Sequence, residues 1–449
     1  MVSNTSPAVA STSAPRDRSL FAFLGTGQVR RAALSGYLGS TIEFYDFILY
    51  ATASSVVFGP LFFSGLNPLM QTVASYGTFA TGYLSRPIGG IIFGHFGDRI
   101  GRKRMLLISM SVMGVASTLV GLVPAVPTLG AVFLILLRLI QGIAIGGEWG
   151  GSALLALEHS GGRKRGLAAS FANAGGPSGA FLGTAALALF ALLPHEQFAS
   201  WGWRIPFLLS AVLLIIGLYV RMKVQESPMF EKAVELDNRQ RAEKRTIPLV
   251  EVLKRPRALI VGAFSGMGSF VIQALFSTLA LNYAVQHGVS ESVGLWGFAA
   301  SQAAAAITIP IWAALSDRIG RRPVMIFGLV ALAALAFPLW SMFGSGSVGQ
   351  VIAAFLIALP LLQSATFGPL AAFVSETFAT SSRYTGASLG YQFASLLGAG
   401  FTPVIAASLL AANHGNPAGV LWYLIAMCVI SALVLLIFAP ESKNLEIDE

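Results

Sequence analysis

The sequence predicts an all-α polytopic membrane protein, with twelve transmembrane helices arranged as two pseudo-symmetric six-helix bundles. Three observations lead there: an apolar composition, basic charge confined to alternate connections, and a second half that repeats the first. Of its 449 residues, 55% are hydrophobic and only 11% are charged. Mean hydropathy is +0.72. Soluble domains carry roughly 25% charged residues, so this chain cannot cover a water-facing surface. Its 48 glycines suit helices packed closely in lipid, where small residues let backbones approach.

Apolar runs between charged breaks place the first six spans at 31–58, 70–97, 105–123, 128–158, 165–193 and 203–222. The other six fall at 256–286, 291–316, 323–343, 348–377, 383–412 and 417–438. Each is close to or above the ~20 residues that a span needs. Residues 1–30, rich at first in Ser, Thr, Ala and Pro, read as a disordered cytosolic tail. They lack the apolar centre of a cleavable signal. Residues 31–222 form the first bundle, 223–255 a charged cytoplasmic linker, 256–438 the second bundle and 439–449 a cytosolic tail.

Of the 29 Lys and Arg, only Arg86, Arg138 and Arg204 lie deep within spans or at their outer mouths. All the others fall in the tails, in even-numbered connections or within two residues of the span ends that these segments adjoin. That is the positive-inside pattern, which places both termini in the cytoplasm of a bacterial inner membrane. The net charge of +9 therefore reflects topology, with a weak attraction to anionic lipid, and no nucleic-acid partner is implied. Cys428 is the single cysteine, which excludes an intramolecular disulfide and a cysteine metal site. No metal or cofactor is expected.

The repeat appears at a shift of about 218 residues. Asp98-Arg99-Ile100-Gly101-Arg102-Lys103 after span 2 returns as Asp317-Arg318-Ile319-Gly320-Arg321-Arg322 after span 8. Glu158 and Arg165 at the span 4–5 turn return as Glu376 and Arg383. An even number of spans per half makes the repeats parallel, with substrate between them near mid-membrane. One chain then holds a complete pathway, so a monomer suffices.

These loops resemble the hallmark of the major facilitator superfamily, and Arg138-x-x-Gln141-Gly142 resembles a second superfamily motif. Further segments narrow the resemblance: Glu43-Phe44-Tyr45-Asp46-Phe47, Arg86-Pro87-Ile88-Gly89-Gly90 and Gly146-Gly147-Glu148-Trp149-Gly150-Gly151. With Trp201–Phe207 and Tyr384–Ser388 they are similar to the metabolite:proton symporter family, nearest its shikimate-permease branch. The resemblance implies the major facilitator fold and uptake of a small metabolite with protons. The substrate would be an acid such as shikimate, 2-oxoglutarate or citrate, or a zwitterion such as proline or betaine.

Ionisable groups deep in a span are costly unless paired or hydrated. Glu43, Asp46, Arg86, Arg138 and Glu148 form that set, all in the first half. At 1.5 Å per residue, Glu43, Asp46 and Arg86 share a depth of about 18–22 Å. Glu43, Asp46 and Tyr50 lie on one helix face. Asp46 or Glu43 is the candidate proton site, with Arg138 and Glu148 in the coupling set. Arg86, Arg138, Tyr50 and Gln141 are candidate substrate contacts. The second half offers neutral Gln273, Gln302, Gln363, Tyr391 and Gln392, whose amides and hydroxyl can bond a substrate's oxygens. Asp98, Arg99, Arg102, Glu158 and Arg165, with Asp317, Arg318, Glu376 and Arg383, form a candidate cytoplasmic gate.

Other classes fit less well. No Gly-x4-Gly-Lys-Ser/Thr motif or nucleotide-binding loop marks an ATP-driven pump. Gly176-Pro177-Ser178-Gly179 imitates a serine-nucleophile motif, yet none of the five histidines lies at its depth to serve as base. The same stretch partly resembles an antiporter motif, so proton-driven antiport or drug export is the alternative. A sensor without transport is a more distant one.

Overall fold

A computed structural model describes residues 27–66, 68–160, 164–225, 248–379, 382–413 and 415–443. Twelve long helices account for most of them. α1 runs Gly27–Ala53 and continues through a π-helical turn, Ser54–Phe58, into Gly59–Phe62. It therefore begins four residues inside the stretch expected to be tail. There follow α2 (Pro68–Ile100), α3 (Arg102–Val120), α4 (Leu129–His159), α5 (Arg165–Phe190) and α6 (Arg204–Met222). A short helix, Pro248–Leu253, lies within the region between the halves.

The second half comprises α7 (Pro256–Gln286), α8 (Glu291–Ile319), α9 (Arg321–Phe343), α10 (Val348–Glu376), α11 (Arg383–Ser395 and Thr402–Ala412, joined by a π turn) and α12 (Ala418–Ile437). Among the described residues, nine helices are apolar and long enough to cross a membrane by length and composition. The three that fall short are α1, α2 and α5. The first two carry Glu43, Asp46 and Arg86, and α5 is rich in glycine with Asn173 at its middle. Exposed Ile215, Ile307 and Trp422 face outward from the bundle, as lipid contact requires.

Backbone proximity comes from glycine at the tightest crossing. A Cβ at Gly89 of α2 would collide with the Ile143 carbonyl of α4, and one at Gly146 would collide with the Arg86 carbonyl. The two helices therefore touch backbone to backbone beside Arg86. Gly101 and Gly320 hold φ of 110° and 111° at the turns leading into α3 and α9, a conformation that side chains disfavour. Between the halves, α5 packs on α8 and α10, while α11 packs on α2 and α4. The pairing of α2 with α11 mirrors that of α8 with α5.

Candidate functional site

Three groups of side chains gather the buried polar residues, one between the halves, one inside the first bundle and one at the basic face. The first surrounds a cavity of about 220 Å³ that extends from mid-membrane toward the face opposite the basic loops. Its walls come from both halves: Phe44, Phe47, Phe79, Tyr83 and Arg86 on one side, and Phe270, Gln273, Phe298, Gln302, Gln363 and Phe367 on the other. Arg86 is the one charged residue among its lining. It is 2% exposed, and its Nε and Nη2 have no hydrogen-bond partner. Its guanidinium lies 4.2 Å from the Phe47 ring centroid and 4.5 Å from that of Tyr83, close enough for cation–π attraction. Opposite it, Gln363 donates to Ser269 at 3.2 Å, and Gln302 Nε2 has no partner. Two π-helical turns border the chamber, one ending at Gln363 and one containing Ala399 and Gly400.

The second group lies inside the first bundle and outside the cavity lining. Arg138 is fully buried, 4.1 Å from the Phe47 centroid and 4.4 Å from that of Tyr50. Its Nη1 donates to Gln141 at 3.2 Å, and Gln141 donates to Ser117 at 2.7 Å. Asp46 accepts from Ser210 of α6. Tyr50 donates to Thr78 at 3.0 Å. Glu148, one bundle layer nearer the basic face, is paired bidentately with Arg221 and accepts from Ser109 and Ser152. Arg221 sits at the end of α6, where the sequence marks only a membrane edge, yet it is 1% exposed.

The third group closes the basic face. Glu158 pairs with Arg102 of its own half and lies 3.8 Å from Arg383 of the other. Glu376 pairs with Arg321 of its own half at 3.3 Å and with Arg165 of the other at 3.4 Å. The two clusters are thus related by the repeat, each acid holding one arginine from each half. Asp317 adds a cross-half bond by accepting from the Gly166 and Leu167 amides at 2.9 and 3.0 Å, at the positive end of the α5 dipole. Ser442 donates to Glu376 at 2.6 Å.

Between the cavity and the basic-face clusters, α11 is stitched to α4. Tyr384 donates to the Gly147 carbonyl at 2.7 Å and Gln392 to that of Gly146 at 3.2 Å. The Tyr391 ring stacks on Trp149 at 3.7 Å. Trp149 donates to Asn173, which donates to the Phe367 carbonyl beneath the cavity.

The structure therefore sorts the expected site residues. Arg86, Gln273, Gln302 and Gln363 line the cavity. Arg138, Tyr50 and Gln141 stand behind its wall, and Tyr391 and Gln392 lie below it, engaged in contacts between the halves. Arg102, Glu158, Arg165, Asp317, Glu376 and Arg383 converge at the basic face, whereas Arg99 and Arg318 are exposed at its edge. The Asp98 side chain lies outside the described residues. Sequence reasoning missed Arg221, Asn173, Ser442 and the place of Arg321 in the cluster at the basic face. The repeat pointed to Arg321, which stands where Arg102 stands in the first half. Ser178, the imitation nucleophile, donates to the Ala174 carbonyl at 3.2 Å and accepts from Tyr37 at 2.7 Å, so it serves helix packing.

Comparison with known proteins bears on this arrangement. The family model described as sugar (and other) transporter matches residues 32–449. The chain belongs to that family. The shikimate transporter of Escherichia coli K12 is 39% identical over 426 residues, covering 94% of this chain and 97% of that one. The inner membrane metabolite transport protein YhjE of the same organism is 40% identical, covering 91% and 93%. The proline/betaine transporter of Salmonella typhimurium is 32% identical, covering 93% and 85%. Among solved structures, the proton:xylose symporter XylE superposes with a TM-score of 0.74 at 17% identity, covering 94% of this chain and 98% of that one. The likeness gives the fold: twelve helices of the major facilitator superfamily. The protein is a multi-pass membrane transporter.

Proposed function

We propose that the protein is a proton-coupled importer of a small organic acid, with Arg86 as the contact for the substrate's carboxylate. The observation that carries this reading is a buried guanidinium, partly without hydrogen-bond partners, on the wall of a cavity between the two halves. A carboxylate there replaces missing hydrogen bonds with charge-assisted ones. Gln273, Gln302 and Gln363 reach the same cavity from the other half and suit a hydroxylated substrate, so binding draws the halves together. Relatives are named for shikimate and for proline/betaine, all small molecules that a chamber of about 220 Å³ admits.

With its basic face latched and its cavity extending to the opposite side, the described state faces outward, the basic face being cytoplasmic in a bacterial inner membrane. Asp46, beside Arg138, carries a proton through the cycle, and the Glu158 and Glu376 clusters part when the carrier turns inward. A monomer suffices, since one chain supplies both walls.

The aromatic lining supports one second reading. A zwitterion can place its carboxylate on Arg86 and its cationic end against Phe270 or Phe298. Uptake by proteoliposomes with an imposed inward proton gradient separates the two, using labelled shikimate and labelled glycine betaine as probes. Shikimate accumulation supports the acid reading, and betaine accumulation alone supports the second. Efflux driven by the same gradient would instead indicate an antiporter.

A further inference from the structure

The buried charges of the first half fall into two groups with different surroundings. Asp46 is bonded to Ser210 and faces Ser117 and Arg138. Glu43 stands one turn away, 1% exposed, and neither of its carboxylate oxygens has a hydrogen-bond partner. The charged and titratable groups that face it are Arg86 and Tyr83 from α2, Glu148 from α4, Arg221 from α6 and Tyr391 from α11.

Arg221 and Glu148 are already committed to each other. The pair is pressed against α1 at Gly39, one turn before Glu43, where a Cβ would collide with both the guanidinium and the carboxylate. Arg86 is the remaining cation, and it also lines the cavity. A bare carboxylate at this depth requires either that cation or a proton.

We infer that Glu43 is a second proton site, distinct from Asp46, and that Arg86 serves as its counter-ion only until a substrate carboxylate claims it. Substrate binding then leaves Glu43 facing no cation except Arg221, which is held by Glu148, and it takes up a proton from the side to which the cavity opens. Only an O–H bond forms, and it breaks again when the substrate leaves. A monoanion therefore crosses with two protons, one on Asp46 and one on Glu43, and each cycle carries one net positive charge. The substrate linkage rests on the reading of Arg86 given above. The second proton site does not.

Infrared difference spectroscopy of the purified protein in lipid tests the site without any substrate. A pH titration should reveal two protonated-carboxyl bands, one removed by Glu43→Gln and the other by Asp46→Asn. Arg86→Gln should extend the Glu43 band to higher pH by about 1–3 units, the usual effect of an adjacent opposite charge, and leave the Asp46 band in place. Arg138→Gln should do the reverse. Should Glu43→Gln fail to fold, Glu43→Asp should move its band without touching the other.

A spectrum unaltered at Glu43, or two bands that move together with either arginine, would overturn the inference. Charge measurements in proteoliposomes with shikimate as probe test the linkage. Two protons should accompany each shikimate in the native protein and one in Glu43→Gln. Equal stoichiometry in both would overturn the linkage, and absence of shikimate transport would overturn the acid-uptake reading while the spectra still decide the site.

Discussion

Arg86 and Arg138 sit at a similar depth and share Phe47 as a neighbour, but only Arg86 reaches the cavity. Their substitutions should therefore fail differently. Arg86→Gln should weaken binding of the substrate acid by the value of a buried charge-assisted contact, ~2–5 kcal/mol or roughly 30- to several-thousand-fold. Arg86→Lys should recover only part, because the fork of the guanidinium is lost. Arg138→Gln should leave affinity within several-fold of native while abolishing accumulation against a gradient, since it acts on Asp46. Calorimetric affinities with uptake assays check both, and equal affinity losses would place Arg138 in the binding site after all. Asp46→Asn should stop accumulation yet permit downhill exchange, because a fixed neutral amide imitates the protonated acid. The expense of charge in lipid made Glu43, Asp46, Arg86, Arg138 and Glu148 legible from sequence. Which guanidinium faces the cavity was not, since depth along a helix says nothing of rotation once aromatic rings screen one side. Arg221 was hidden for a related reason: two residues from a loop it reads as a membrane-edge cation, and only the packing of α6 against α1 and α3, with the guanidinium turned onto Glu148 of α4, buries it.

Helix pairs set the next level. The contact of α2 with α4 depends on Gly89 and Gly146, and it fixes the backbone that carries Arg86. Gly146→Ala should lower stability by ~1–3 kcal/mol through overpacking, whereas Gly77→Ala, where nothing lies within 4 Å of an added Cβ, should have little effect. Thermal unfolding in detergent checks the pair, and equal melting temperatures would mean that α2 and α4 have room to separate. At the basic face, Glu158→Gln leaves Arg102 and Arg383 without their shared carboxylate. Removing one partner of a buried pair typically costs ~3–5 kcal/mol, and here part of that loss falls on the contact between halves. With Cys428 replaced, a cysteine at Ser388, which is packed on Gly150, should become accessible to a polar reagent from the basic face in Glu158→Gln. Unchanged labelling would show that the latch does not hold the halves. The repeat made Arg102, Glu158, Arg165, Asp317, Glu376 and Arg383 visible in sequence, whereas Arg321 and Ser442 join them only in the structure. The crossing pattern, in which each acid takes an arginine from either half, requires the halves to be docked and so appears only in the structure.

At the scale of the whole molecule, the twelve helices and their division into halves follow from composition, charge asymmetry and the repeat. The cavity does not, because its walls are assembled from residues more than 200 positions apart, such as Arg86 and Gln302. The same is true of the seal beneath it, where Trp149, Asn173, Phe367 and Tyr391 meet from four helices. On the reading proposed above, a chamber with one cationic contact, over ion-pair clusters that must part, belongs to a carrier that takes an acid anion and protons from outside and delivers both inside. The measurement that tests this most directly is uptake of labelled shikimate into proteoliposomes loaded at higher pH than the medium. Shikimate should accumulate above the external concentration, and the accumulation should collapse on adding a protonophore and be lost in Arg86→Gln. Uptake that only reaches the external concentration, whatever the proton gradient, or accumulation that survives Arg86→Gln, would contradict this reading.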